Sequence, residues 1–250
     1  HCSPPHRRPT PHTLFIAFAY LPLSQLWQTG PTLDTKTIGY ADEAWGRYVL
    51  SHPLVSDAAI LADSEKFPPL YYLQQIKGLR PDLELVTLFN EAQYRAALQE
   101  RLAEGQTVYL ARYLPGMGTY APQSMGPLVE ISPHPQTAAE RNEDERATSS
   151  RRLSFGQSLT LRAHQLEIDP EGRRMHHLTL IWQATRTITK DLEVRLRLVT
   201  PEGEIAWQSQ GTRPVNGYTT TQSWQAGDVI TDYHTLPWPT WLTPGTYTLE

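Results

Sequence analysis

Asp63, Ser64, Glu65 and Lys66 place two carboxyl groups, a hydroxyl and an amine on consecutive residues. Such a set could offer a substrate a proton donor, a proton acceptor and a nucleophile. The cluster follows the short apolar run DAAILAD, and ligands of open parallel sheets bind beyond the carboxyl ends of the strands. Arg112 and Tyr113 hold the equivalent place near the end of a later run, TVYLARYL. No histidine stands near Ser64 in sequence to activate it, so a solvated, ion-paired loop is the simpler reading of the four residues. Neither crossing carries a GxGxxG, GxxxxGKS/T or GxSxG pattern. Without small residues the backbone cannot close on a pyrophosphate, so no nucleotide or other cofactor is expected.

The remaining chemistry-bearing residues are more scattered. His176 and His177 are adjacent, but neighbours on a strand point to opposite faces and cannot grip one ion together. His164 and His234 are isolated, and no metal site is expected from this spacing. Trp238 and Trp241 lie in LPWPTW, a proline-flanked loop, and are the better candidates for stacking on a sugar ring. Trp182, Trp207 and Trp224 read as core or rim packing. Arg80, Pro81 and Asp82 form a break between two elements, where Arg80, held before a proline, is expected in extended geometry. Arg80 and Asp82 are expected to pair or to brace neighbouring backbone.

These residues need elements to hold them. ADEAWGRYVLSHPL has apolar residues at helical spacing, Ala44, Trp45, Tyr48 and Val49. DAAILAD reads as a strand buried on both faces. PPLYYLQQIKGL sets Leu70, Leu73, Ile76 and Leu79 on one helical face, with Pro69 suited to its first turn. LELVTL is a second strand. NEAQYRAALQERLAEG is a helix capped by Asn90, with Gln93 in capping-box position and Gly105 at its end. TVYLARYL and GPLVEIS complete the strand set. Strand–helix–strand–helix–strand spacing implies parallel pairing, and residues 37–132 are expected to form a small three-layer, Rossmann-like α/β domain. Residues 133–152 are polar, poor in large apolar side chains, and read as a linker. From 153 to 250 the pattern changes to short strands and turns, with DLEVRLRLV alternating strictly and TPEGE turning into IAWQSQ. That spacing predicts an antiparallel, Ig-like β-sandwich.

The 250-residue chain is long enough for two domains. Its net charge of −4 gives no electrostatic footprint for nucleic acid, which is set aside as a partner. The single cysteine, Cys2, excludes an internal disulfide and a CxxC pair. Residues 1–12 are polar and proline-rich and are expected to be a disordered tail. Residues 13–30 contain the apolar run TLFIAFAYLPLSQLW, whose densest part is shorter than the ~20 residues of a spanning helix. It is expected to be the end of a transmembrane helix or an anchor, with a docked helix of a soluble domain as the alternative. Arg7 and Arg8 before it would place everything after about residue 30 outside the cytoplasm. The closing PGTYTLE reads as a strand cut short, so the chain is expected to be part of a longer protein.

Two motif sets carry a family resemblance. The first comprises Ala62 and Asp63, Pro69, Leu70, Tyr72, Leu73 and Gln74, then Gly78, Arg80, Pro81 and Asp82. The second comprises Thr221, Trp224, Gly227, Val229, Asp232, Leu236, Pro237, Pro244, Gly245, Tyr247 and Leu249. In both, residues 13–250 resemble the soluble C-terminal part of bacterial polytopic membrane proteins of the glycosyltransferase type, relatives of the protein O-mannosyltransferases. The resemblance implies an extracytoplasmic region that positions an acceptor or a lipid-linked sugar near the membrane. It also implies that the catalytic acid lies in a loop early in the membrane domain, so no catalytic residue carries over. Two alternatives stand beside it: a membrane-anchored surface module binding carbohydrate through Trp238 and Trp241, and a soluble α/β enzyme using Asp63, Ser64, Glu65 and Lys66.

Overall fold

A computed structural model of the protein describes residues 35–117, 120–132, 152–168 and 175–250. The expectations for residues 1–12, for the apolar segment and for all but the last residue of the linker lie outside the described residues. The chain divides into two compact units, His1–Trp45 and Gly46–Glu250. Helix α1, Thr35–Ser51, begins in the first and ends in the second. No helix among the described residues is long and apolar enough to cross a membrane.

The second unit opens on a mixed sheet. Strand β1 (Ala59–Ala62) is followed by α2 (Phe67–Gln75), β2 (Glu84–Thr87), α3 (Glu91–Ala103) and β3 (Val108–Leu110). Every residue of β1 and β3 is buried, which is why both read as unbroken apolar runs. β1 pairs in parallel with β2 on one side and with β3 on the other. Beyond β3 the sheet turns antiparallel through β5 (Leu128–Ile131) and ends on β4 (Gln123–Met125), in the order β2-β1-β3-β5-β4. The α/β character expected of this region is present. The short strand β4 has no alternating pattern that would announce it.

The helices form for legible local reasons. The Asn90 side chain accepts from the Gln93 backbone N–H at 3.0 Å, and Gln93 Oε1 reaches back to the Phe89 N–H at 2.9 Å. The second bond lands one residue before the cap rather than on it, a widened form of the reciprocal box. Gly46 of α1 lets two helices approach, since a Cβ there would stand 2.7 Å from Leu73 Cδ1 of α2.

The segment after α2 is the most densely tied turn of the sheet. Gln74, buried on the packed side of α2, donates through Nε2 to the carbonyls of Arg80 (2.9 Å) and Leu83 (2.7 Å). Arg80 contacts both Asp82 oxygens, with Nη2 at 2.7 Å from Oδ2. The same guanidinium donates to the Leu54 carbonyl at 2.9 Å and the His52 carbonyl at 3.3 Å. It therefore pairs within the turn and braces the chain entering β1. Arg80 is not extended as the following proline suggests. Its φ is 47°, in the left-handed region, and the Gln74 bond to its carbonyl holds it there.

The guanidinium beside Asp82 holds that carboxyl below the ordinary carboxylate range, chiefly by hydrogen bonding. Stability from the pair is thus present above the ordinary carboxylate pKa and is lost as pH falls through the lowered folded value. Asp82→Asn should lower the melting temperature at pH 7, and its deficit against wild type should shrink as the pH is lowered below the ordinary carboxylate range. A deficit independent of pH would assign the effect to packing instead.

The rest of the unit is antiparallel. One four-stranded sheet runs β11-β8-β7-β6, from Val229–Pro237, Met175–Ala184, Leu159–Glu167 and Leu153–Phe155. A three-stranded sheet runs β10-β9-β12, from Ile205–Gln208, Arg197–Val199 and Thr248–Leu249. The strict alternation from Leu192 to Leu198 yields a shorter strand than expected. Only its last part is in β9, Val194 makes an isolated bridge to Thr212, and Leu192 is exposed. Buried residues of the mixed sheet (Leu61, Leu110, Ile131) and of the antiparallel strands (Leu161, Trp182, Ile230) belong to one hydrophobic cluster. At the sheet edges, the Gln123 amide oxygen of β4 accepts from the Thr231 N–H of β11 at 2.8 Å. This side chain satisfies a strand-edge donor that would otherwise be free to pair elsewhere.

Candidate functional site

An open cleft of about 430 Å³ lies at the carboxyl ends of the three parallel strands, lined by Asp63, Ser64, Glu65, Leu88, Phe89, Arg112 and Tyr113. The topology explains its place. The chain leaves β1 toward β2, then crosses back over β1 to β3, so the loops after β1 and β3 diverge. Order 2-1-3 is the arrangement in which ligands sit at the switch between those strands.

Asp63 has a definite job in the local structure. Asp63 Oδ1 accepts from the backbone N–H groups of Glu65 (3.1 Å) and Lys66 (3.0 Å), and the Asp63 carbonyl accepts from Phe67 N–H. The carboxyl group thus occupies the loop N–H groups just before α2 that a phosphate would otherwise take. This gives a second physical reason, beside the absence of glycines, for the loop not to hold a pyrophosphate. Ser64 and Glu65 are exposed. No histidine is among the cleft lining, so Ser64 has no imidazole base in the residues that form this site.

Aromatic and cationic groups flank the loop after β1, Phe89 after β2 on one side and Arg112 and Tyr113 after β3 on the other. Phe89 is 72% exposed and Tyr113 53%. Arg112 lies with its guanidinium carbon 5.2 Å from the centroid of Tyr94, a ring with no solvent exposure. Tyr94 belongs to the apolar stripe of α3, and its hydroxyl has no hydrogen-bond partner among the described residues. Burial pushes that hydroxyl up to about 12, with the nearby Asp63 charge adding to the rise and Arg112 opposing it. Both charges are therefore felt at the base of the cleft.

The antiparallel half buttresses the loop after β3. Tyr218 is buried; its hydroxyl accepts from the Leu114 N–H at 2.9 Å and donates to the Arg112 carbonyl. Its ring meets Tyr113 edge-on at 5.0 Å. Tyr218 follows a tight turn in which Val215, Asn216 and Gly217 all have positive φ. A β-branched residue there is strained, and Val215 is held by its N–H bond to Asp232 Oδ1 at 2.8 Å. Tyr218→Phe would leave the Leu114 donor and the Arg112 acceptor unpaired, and is expected to cost about 1–3 kcal/mol. Thermal denaturation should register the loss, and an unchanged midpoint would show that the hydroxyl does not support this loop.

The other sequence candidates lie elsewhere. Trp238 is half-buried, 5.5 Å from His176 and 5.5 Å from Tyr247, whereas Trp241 is 66% exposed. The two therefore do not form an equal pair of platforms. His177 stacks on Tyr48 at 3.8 Å and contacts the Tyr233 hydroxyl at 2.5 Å, away from the Trp238 side taken by His176. Among the described residues no group of three ligands could hold a metal ion. Arg80, Pro81 and Asp82 are in the turn before β2, not in the cleft.

Residues that sequence reasoning missed include Leu88 and Phe89, which the strand-end rule would have found after β2. Tyr94 sits among the buried residues of α3, where the sequence pattern gives no sign of a cleft. Nothing local in the sequence announces Tyr218, 106 residues from Arg112. Comparison of the chain with protein-family models, with curated proteins and with solved structures found no match.

Proposed function

We propose that the chain is the extracytoplasmic C-terminal region of a membrane glycosyltransferase-like protein, and that it positions an acceptor or lipid-linked sugar rather than transferring it. The α/β half is read as a three-layer, Rossmann-like unit and the antiparallel half as an Ig-like sandwich. The apolar segment within residues 13–30 supplies the membrane attachment in this reading, and the motif residues shared with that family supply its lineage.

One observation carries the sugar-positioning role: the strand-end cleft sets exposed aromatic planes, Phe89 and Tyr113, beside polar groups of Asp63, Glu65 and Arg112. Pyranose rings are recognised by that mixture, with C–H edges against an aromatic face and hydroxyls on planar hydrogen-bonding groups. The Asp63 carboxyl is already engaged by the Glu65 and Lys66 N–H groups, which suits a binding wall better than a proton shuttle. A second reading, a carbohydrate-binding surface module, is favoured by the exposure of Trp241.

A glycan array separates the two. Binding lost in Phe89→Ala/Tyr113→Ala and kept in Trp238→Ala/Trp241→Ala supports the cleft; the reverse pattern assigns binding to the tryptophan loop.

A further inference from the structure

We infer that the strand-end cleft takes a saccharide bearing a single oxyanion, a sugar phosphate or a uronate, with Arg112 as the oxyanion fork. The inference rests on the sugar-positioning reading and narrows it to a chemical class.

A surface arginine without a carboxylate partner is common, so the weight lies in how this one is held. Arg112 makes no ion pair among the described residues. Its guanidinium carbon lies 5.2 Å from the centroid of the buried Tyr94 ring, within cation–π range. The five N–H donors of the fork exceed what one contact with Tyr94 can use. Its backbone carbonyl is tied to Tyr218, and the adjacent Leu114 N–H to the same hydroxyl. An arginine fixed at both ends is preorganised for bidentate recognition of a carboxylate or phosphate.

The loop after β1 limits how much negative charge can enter. Asp63 and exposed Glu65 line the same cleft. A polyanion such as a nucleoside diphosphate would meet both, and the Glu65 and Lys66 N–H groups that would offset it are taken by Asp63. One oxyanion on Arg112, with a sugar ring against Tyr113 or Phe89, meets one cation and limits that repulsion.

Calorimetric titration of the 250-residue chain with glucose 1-phosphate, glucuronate, glucose and inorganic phosphate tests this. The expected result is binding of at least one charged sugar at least tenfold tighter than glucose or phosphate, weakening as salt is raised. Arg112→Gln should weaken it tenfold or more; Arg112→Lys, which keeps the charge and loses the fork, should fall between. The two charged sugars tell the phosphate source from the carboxylate source. Glucose binding as tightly as its phosphate, unchanged in Arg112→Gln, would overturn the oxyanion while leaving the sugar-positioning reading standing. Inorganic phosphate matching the charged sugars would overturn the saccharide part. No binding by any sugar would overturn both.

Discussion

Asp232→Ala is expected to destabilise the protein by about 3–5 kcal/mol. The side chain has no solvent exposure and receives three contacts. Val215 N–H donates to Oδ1 at 2.8 Å, Trp182 Nε1–H donates to Oδ2 at 3.3 Å, and His234 Nε2 lies 2.8 Å from Oδ2. Alanine would strand buried donors from three separate elements. It would also release the N–H that holds Val215 at positive φ, a conformation costing about 1–3 kcal/mol by itself. A unit of this size shifts its melting temperature by roughly 2–4 °C per kcal/mol, so a fall of about 10 °C is expected by calorimetry. Asp232→Asn keeps an acceptor for Val215 and should lose less. Because the Val215 turn leads directly to Tyr218, the alanine variant should also weaken any cleft ligand.

Gln74→Glu is the second large effect. The Gln74 amide nitrogen donates to two carbonyls, those of Arg80 and Leu83, in a buried position. A carboxylate in its place sets an anionic oxygen against two carbonyl acceptors, and the Gln75 amide that donates to Gln74 Oε1 at 3.1 Å serves only the other oxygen. The expected cost at neutral pH is about 3–5 kcal/mol. The folded state disfavours the charged form, so the pKa of the introduced carboxyl is raised. Stability is then retained at low pH, where the neutral acid can donate to one carbonyl, and is lost as pH rises through the raised value. Urea denaturation at several pH values reads this directly. A destabilisation that grows toward low pH would mean that the amide is not the donor that closes the turn.

Both sites belong to the motif residues singled out in the sequence, and the structure gives those motifs a physical meaning. Gln74 and Arg80 staple the turn after α2. Thr221 accepts from Leu192 N–H and donates to the Lys190 carbonyl, and the Trp224 indole donates to Thr219. Asp232 gathers three elements. These are scaffold roles. Gln74 stands beside Leu73 and one turn from Leu70 on the packed face of α2, a face the sequence pattern marks only by its apolar residues.

What the sequence conveys depends on how local the physics is. β1, β3 and α3 were readable because burial on both faces, or a capped amphipathic stripe, leaves a continuous pattern. Asp63, Ser64 and Glu65 were readable as strand-end residues from the apolar run before them, whereas Lys66, grouped with them, is not in the cleft lining. The alternation from Leu192 to Leu198 was misleading in extent, since alternation fixes which side chains share a face but not how far a partner strand follows them. β4 and the Tyr218 buttress were invisible for a different reason. Their stabilisation comes from β5 and from the Arg112 loop, and no nearby residue encodes that pairing.

Chemical-shift mapping on the ¹⁵N-labelled chain, titrated with glucose 1-phosphate, tests the central claim most directly. The account predicts perturbations concentrated at residues 63–66, 88–90 and 112–114, with residues 238–241 unmoved. Shifts confined to 238–241, or none anywhere at millimolar sugar, would contradict it.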